Sequence, residues 1–265
     1  MESCITFKNL SIGYRPKHQL RVIASAVSAS LHPGELTCLI GANGVGKSTL
    51  LRTLCGFQPA LDGEILLQDQ PLSAYPAQQL ARQIGVVLTS RVDVPQLSVK
   101  EIVGIGRSPY TNFWGTLTPA DQQIVDEAIH QVGIPHLAQR NISELSDGER
   151  QKTMIAKALA QQTRIIILDE PTAFLDFPSK VETLQMLRRL AHDQHKAILL
   201  STHDVELALQ LSDSLWLMEQ NRLSIGTPRE LSQAGSLSRF IERDGIRYDK
   251  ENMKIEILPS FGHQP

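Results

Sequence analysis

The chain has no run approaching the roughly 20 apolar residues that span a bilayer. Its N-terminus, MESCITFKNLSIGYRPKH, lacks the apolar core of a secretory signal. A soluble protein is expected, so a membrane function would need another chain to supply the membrane part. No charge of one sign dominates. The formal net charge is −2 with no long basic run, which argues against nucleic acid as a partner. The three cysteines, Cys4, Cys38 and Cys55, are odd in number and not in metal-ligand spacing. They read as packing residues of a reducing cytosol. Internal repeats and low-complexity segments are also missing, which excludes solenoids and disordered arrays.

What is present is a chain of 265 residues, 42% apolar, enough for one large domain or two modest ones. Strand character is predicted over residues 4–10, 21–31 and 36–40, the last after the turn His32-Pro33-Gly34. A glycine-rich loop and a helix over Lys47–Leu54 follow, then strands over 65–67 and 84–88. Residues 97–162 change to helical spacing, as in Asp121-Gln-Gln-Ile-Val-Asp-Glu-Ala-Ile-His-Gln-Val132. Strands return at 164–168 and 196–201 with a helix between them. Both are nearly unbroken apolar runs, as expected for a parallel sheet covered on both faces. After 215–218 come a hairpin-like turn over 219–222 and an irregular tail.

The chemistry concentrates at strand ends. Gly41-Ala-Asn43-Gly44-Val-Gly46-Lys47-Ser48, followed by Thr49, fits the phosphate-loop pattern between a strand and a helix. Its glycines let backbone N–H groups turn inward around phosphates, and the helix N-terminus adds partial positive charge. Lys47 is expected to reach the β- and γ-phosphates of ATP, and Ser48 to ligate Mg²⁺. The apolar strand before Asp169-Glu170 ends where ligands of such sheets bind. Asp169 is expected to hold Mg²⁺, and Glu170 to orient or deprotonate the attacking water. His203, in Ser201-Thr-His-Asp204, follows another apolar strand and is placed to contact the γ-phosphate. Leu145-Ser-Asp-Gly-Glu149 admits two readings. It is a capping box opening a helix, or a second phosphate-binding helix N-terminus that offers Ser146 and the Gly148 backbone.

In this order, the phosphate loop, Leu145–Glu149, Asp169-Glu170, Phe174-Leu-Asp176 and His203 resemble the ABC transporter ATPase family over nearly the whole chain. The resemblance implies an α/β fold: a P-loop NTPase (RecA-like) core with an N-terminal antiparallel β subdomain and an inserted α-helical subdomain. Residues 1–89 and 163–230 would form the core with the β subdomain, 90–162 the helical subdomain that grips the membrane subunit, and 231–265 a C-terminal extension. It also implies a head-to-tail dimer of two copies that sandwich each ATP, on the cytoplasmic face of the inner membrane. Membrane-spanning permease subunits would be direct partners, and an extracytoplasmic substrate-binding protein an indirect one. Tyr14 matches the residue that stacks on adenine, and Asp176 lies in the loop that crosses the dimer interface. The stretch Leu97-Ser-Val-Lys-Glu-Ile-Val-Gly-Ile-Gly-Arg-Ser-Pro-Tyr110, followed by Thr118-Pro-Ala-Asp121, resembles the group that energises import of ferric siderophores, haem or cobalamin. An exporter ATPase, a soluble ABC protein acting on ribosomes or DNA, and a regulator without turnover are the alternatives. The single phosphate loop and slightly acidic balance weigh against the soluble ABC protein, and Glu170 against the regulator.

Two departures from the family pattern matter. Asp147 stands where the family signature, Leu-Ser-Gly-Gly-Gln, has its first glycine, and Ser90 aligns with a loop glutamine. Ser90 is too short for direct metal contact, which leaves a bridging water or a substitute side chain from Gln96, just after the bend at Val94-Pro95. With a bridging water, Ser90→Ala depresses transporter-coupled ATP hydrolysis and Gln96→Ala does little. With Gln96 in the role, the pattern reverses. Normal coupled hydrolysis in the double mutant would leave this loop without a γ-phosphate-sensing side chain.

Overall fold

The computed structural model describes residues 3–14, 20–88 and 96–258. The chain opens with β1 (Ile5–Tyr14) and β2 (Arg21–Leu31), an antiparallel pair. Ile5 and Phe7 point inward, and so do Leu10 and Ile12, so the alternation changes phase between them. Asn9 absorbs the change at φ 49°, where the pairing register shifts. This bulge lets the strand run on to Tyr14, beyond the end at residue 10 that the pattern predicted.

β3 (Leu36–Gly41) feeds the glycine loop and α1 (Lys47–Leu54). β4 (Asp62–Leu67) and β5 (Gln70–Pro71) complete a four-stranded sheet in the order β2-β1-β4-β5. α2 (Ala77–Leu80) and β6 (Ile84–Val87) follow. Three helices then pack on one another: α3 (Val99–Gly104), α4 (Pro119–Gln131) and α5 (Asp147–Ala160). Each opens with a full capping box, from Ser98 to Glu101, Thr118 to Asp121 and Ser146 to Glu149. β7 (Ile165–Leu168), α6 (Phe177–Gln194), β8 (Ala197–Ser201), α7 (Val205–Leu211), β9 (Ser214–Glu219) and β10 (Arg222–Gly226) return to the sheet.

The second sheet has the order β10-β9-β3-β8-β7-β6, parallel except for β10. Its central strands are buried on both faces. Ile166, Leu168, Ile198 and Leu200 face one core, which the helices share. Ile165, Ile167, Ala197 and Leu199 face the other, with α1 and the four-stranded sheet. That double burial is why these strands are apolar without alternation.

Up to residue 258 the tail forms regular elements, where an irregular segment was expected. It forms α8 (Pro228–Gln233), α9 (Ser236–Ile241) and a hairpin of β11 (Ile246–Asp249) and β12 (Lys254–Ile257). Thr227 and Glu230 form a capping box around Pro228, and Leu231, Leu237, Ile241 and Tyr248 reach the helix-side core. Elements this short carry too few turns for periodicity to register.

One buried cation fastens the three-helix unit. Arg107 Nε lies 2.9 Å from Asp121 Oδ1, while its NH1 donates to Ala160 O at 2.9 Å and Gln162 Oε1 at 3.1 Å. The guanidinium also lies 4.2 Å from the Tyr110 ring centre. Such a pair is costly to break because the remaining partner stays desolvated. Arg107→Met is expected to destabilise the fold by about 3 kcal/mol, read as a lower urea midpoint. An unchanged midpoint would show that Asp121 is satisfied by Thr118 alone.

Candidate active site

Three neighbouring strands, β3, β8 and β7, end at the same edge of the sheet, where open α/β sheets hold ligands. β3 delivers the glycine loop, β7 delivers Asp169 and Glu170, and β8 delivers Ser201 and His203. Between them and the β1–β2 pair lies a cavity of about 470 Å³. Of the sequence-predicted residues, Tyr14, Asn43, Gly44, Gly46, Lys47, Ser48, Thr49, Glu170 and His203 line it together.

The loop needs glycine at position 46. Its φ is 115°, and a Cβ there would lie 2.1 Å from Ile23 Cγ2. Gly41 ends β3 so close to β9 that a Cβ would meet Met218 O at 2.4 Å. Lys47 is buried, and its Nζ donates to Gly41 O at 2.9 Å and Ala42 O at 3.3 Å. His203 Nδ1 lies 3.5 Å from the same nitrogen. Burial pushes the Lys47 pKa down, while the Glu170 and Asp169 carboxylates pull it back up. A cation held this way in a glycine loop at a helix N-terminus suits a polyphosphate.

The Asp169 carboxylate and the Glu170 backbone are fixed from below. Ser201 Oγ donates to Asp169 Oδ1 at 2.7 Å, and Ser48 Oγ donates to the same oxygen at 3.1 Å. Ser201 Oγ also accepts from Glu170 N at 2.9 Å. Glu170 takes a left-handed φ of 51°, and its Oε1 meets His203 Nε2. Ser48 and Asp169 thus form an all-oxygen pair that fits a hard divalent cation such as Mg²⁺. Among the described residues no cluster of three or more His, Cys, Asp or Glu is arranged to hold a metal alone. Mg²⁺ held by few protein groups and substrate phosphates matches that partial set.

The other predicted residues lie elsewhere. Ser146 is exposed and caps α5: its Oγ accepts from Glu149 N at 3.3 Å, and its N–H and O–H both donate to Glu149 Oε2. Asp147 stands 3.8 Å from Arg150 NH1 and is 47% exposed, so its charge faces solvent and a cation. Asp176 is exposed and caps α6, accepting from Ser179 N at 3.1 Å. A Cβ on Gly148 would lie 3.8 Å from Leu175 Cδ2 and 3.9 Å from Ser179 Oγ, so the starts of α5 and α6 share one surface. Gln96, at φ 88°, is exposed and does not line the cavity. Ser90 lies outside the described residues.

Three contributors escaped the sequence reading. Arg21 and Ile23 line the cavity from β2. Arg21 pairs with Tyr14 across the two strands, and its guanidinium lies 5.8 Å from the centre of that ring. Only the strand register reveals it. Ser201 was visible as the end of an apolar strand, but its bridging role needs the adjacency of β7 and β8. Ser201→Ala removes one hydrogen bond to the Asp169 carboxylate and the acceptor of the Glu170 backbone N–H. With a charge-assisted bond worth about 1.5–3 kcal/mol, nucleotide turnover is expected to fall at least about tenfold, with nucleotide affinity nearly unchanged. Undiminished turnover in steady-state assays would refute a positioning role.

Comparison with known proteins agrees with this geometry. Residues 24–173 match the family model described as ABC transporter. The petrobactin import ATP-binding protein FpuD of Bacillus anthracis is 32% identical over 263 residues, covering 99% of this chain and 92% of that protein. A cobalamin import ATP-binding protein of Halobacterium salinarum is 35% identical over 239 residues, covering 89% of this chain and 60% of that protein. Among solved structures, an inward-facing transporter described as of the metal-chelate type is 27% identical, with a TM-score of 0.78 and coverage of 98% of both chains. The chain belongs to the ABC transporter family, as one of its ATP-binding proteins.

Proposed function

We propose that this chain is the ATP-hydrolysing subunit of an importer for a chelated metal: a ferric siderophore, haem or cobalamin. The observation that carries the hydrolytic part is the convergence of Lys47, Ser48, Asp169, Glu170 and His203 at one sheet edge. The cargo class rests on the relatives named for petrobactin and cobalamin import and on the metal-chelate neighbour. No helix among the described residues is long and apolar enough to cross a membrane. Permease subunits would therefore carry the cargo, with this chain peripheral on their cytoplasmic side and a substrate-binding protein on the far side. We assign residues 90–162 to gripping the permease.

In this reading the loop amides and Lys47 hold the β- and γ-phosphates, and Tyr14 stacks on adenine. Mg²⁺, held by Ser48 and Asp169, would neutralise phosphate charge. Glu170 accepts the proton of the attacking water as it approaches the γ-phosphorus. His203, in contact with Glu170, faces the γ-phosphate and helps hold the carboxylate in line. Ser146 and Gly148 lie outside the cavity and would serve the ATP of a second copy, across a surface that includes Asp176. Exposed Phe174 and Phe177, 61% and 66% accessible, flank Asp176 and suit burial against that copy.

Glu170→Gln keeps the shape and removes the base. It is expected to bind MgATP and persist as a dimer on size-exclusion chromatography, whereas the unmodified chain returns to monomer as it hydrolyses. A Glu170→Gln protein that stays monomeric at saturating MgATP would sink the sandwich. Lys47→Ala is expected to cut turnover roughly a hundredfold or more with the fold intact. Turnover within about twofold of the unmodified chain would remove Lys47 from the phosphate site. Co-purification from native membranes with permease subunits supports the transport role, and recovery with ribosomes would overturn it.

A further inference from the structure

Asp204 directly follows His203 and occupies the N-cap position of α7. Aspartate there ordinarily accepts a hydrogen bond from the first turn of its own helix. Asp204 does not: its side chain makes no capping bond. It turns back towards the sheet edge instead. Its Oδ1 accepts from Lys180 Nζ at 3.0 Å, and its Oδ2 accepts from Thr172 Oγ1 at 3.4 Å. Thr172 is buried and stands two residues after Glu170. The Asp204–Thr172 bond therefore runs alongside the His203–Glu170 contact and closes a small ring through the two backbones. Asp204 N donates to Thr202 Oγ1 at 3.0 Å, which secures the turn on the other side of His203.

Lys180 enters from the first turn of α6, its N–H bonded to Asp176 O at 3.0 Å. The Lys180 and Asp204 side chains are only 22% and 30% exposed. An exposed ion pair contributes little to stability. One that holds two loops in register has an effect on geometry out of proportion to its energy, since misplacement by about 1 Å can cost large factors in rate.

We propose that Asp204 and Lys180 are positioning residues that hold His203 against Glu170 for hydrolysis. The inference rests on the reading of Glu170 and His203 as the hydrolytic pair. Neither Lys180 nor Asp204 lines the cavity, and they act only through the His203 turn. The tie also joins that turn to the start of α6, one helical turn from the Asp176 surface. The position of His203 is thereby linked to the surface offered to the second copy.

The test uses the purified full chain, with single-turnover hydrolysis of MgATP alongside steady-state kinetics. Lys180→Met should lower kcat by about tenfold and leave KM within about twofold, because only the transition-state contact is loosened. Asp204→Asn should behave alike, and Lys180→Arg should restore most of the rate. In a His203→Ala background, Lys180→Met should cause no further loss, since its route of action is already gone. A loss of the same factor in both backgrounds, or a raised KM with kcat intact, overturns the proposal. If His203→Ala alone turns over like the unmodified chain, the hydrolytic reading of His203 fails, and the positioning role fails with it. A general loss of structure is recognised by a melting temperature that falls in Lys180→Met and by a failure of Lys180→Arg to rescue.

Discussion

A single carboxylate oxygen holds three strand ends in register. Asp169 Oδ1 accepts hydroxyl protons from Ser201, the last residue of β8, and from Ser48, in the helix that β3 leads into. Because β8 lies between β3 and β7 in the sheet, those two bonds span the whole catalytic edge. Ser201 passes the constraint on to the Glu170 amide. The glycine loop, the Ser48–Asp169 oxygen pair and Glu170 are thus parts of one hydrogen-bonded assembly. It stands on strands with no freedom to slide, since both of their faces are packed.

Much of that assembly was legible before the structure. The phosphate loop is a local motif: its glycines, lysine and serine are contiguous, and the helix it opens has the predicted bounds, Lys47–Leu54. The apolar runs of β7 and β8 announced a doubly covered sheet, and the capping box of Ser146 and Glu149 marked the start of α5. What stayed hidden is non-local. Arg21 faces Tyr14 only through a strand register displaced by a bulge at Asn9. Ser201 gains its role from a neighbour some thirty positions away in the chain. The tail helices are short and owe their order to burial of Leu231 and Leu237 rather than to a periodic pattern.

Ser146 shows why one motif can carry two meanings. Its hydroxyl and amide are engaged by Glu149, in the geometry repeated at Ser98, Thr118 and Thr227. Within one chain it is a helix cap like the others. Its distinction is location: α5 begins beside the start of α6, on exposed ground away from the chain's own nucleotide cavity. A function there requires a second molecule, so a single-chain description contains half of each proposed site.

The three-helix unit is spliced between two adjacent strands, β6 and β7, and this gives it a direct grip on the chemistry. Val87, the final residue of β6, accepts the backbone N–H of Asp169 at 2.8 Å. β6 thus ends at the catalytic edge, while β7 begins at the opposite one. Any displacement of β6 would therefore pull on a carbonyl bonded to the Asp169 amide. The strand that precedes the helices and the placement of one carboxylate are in this way coupled through a single backbone hydrogen bond.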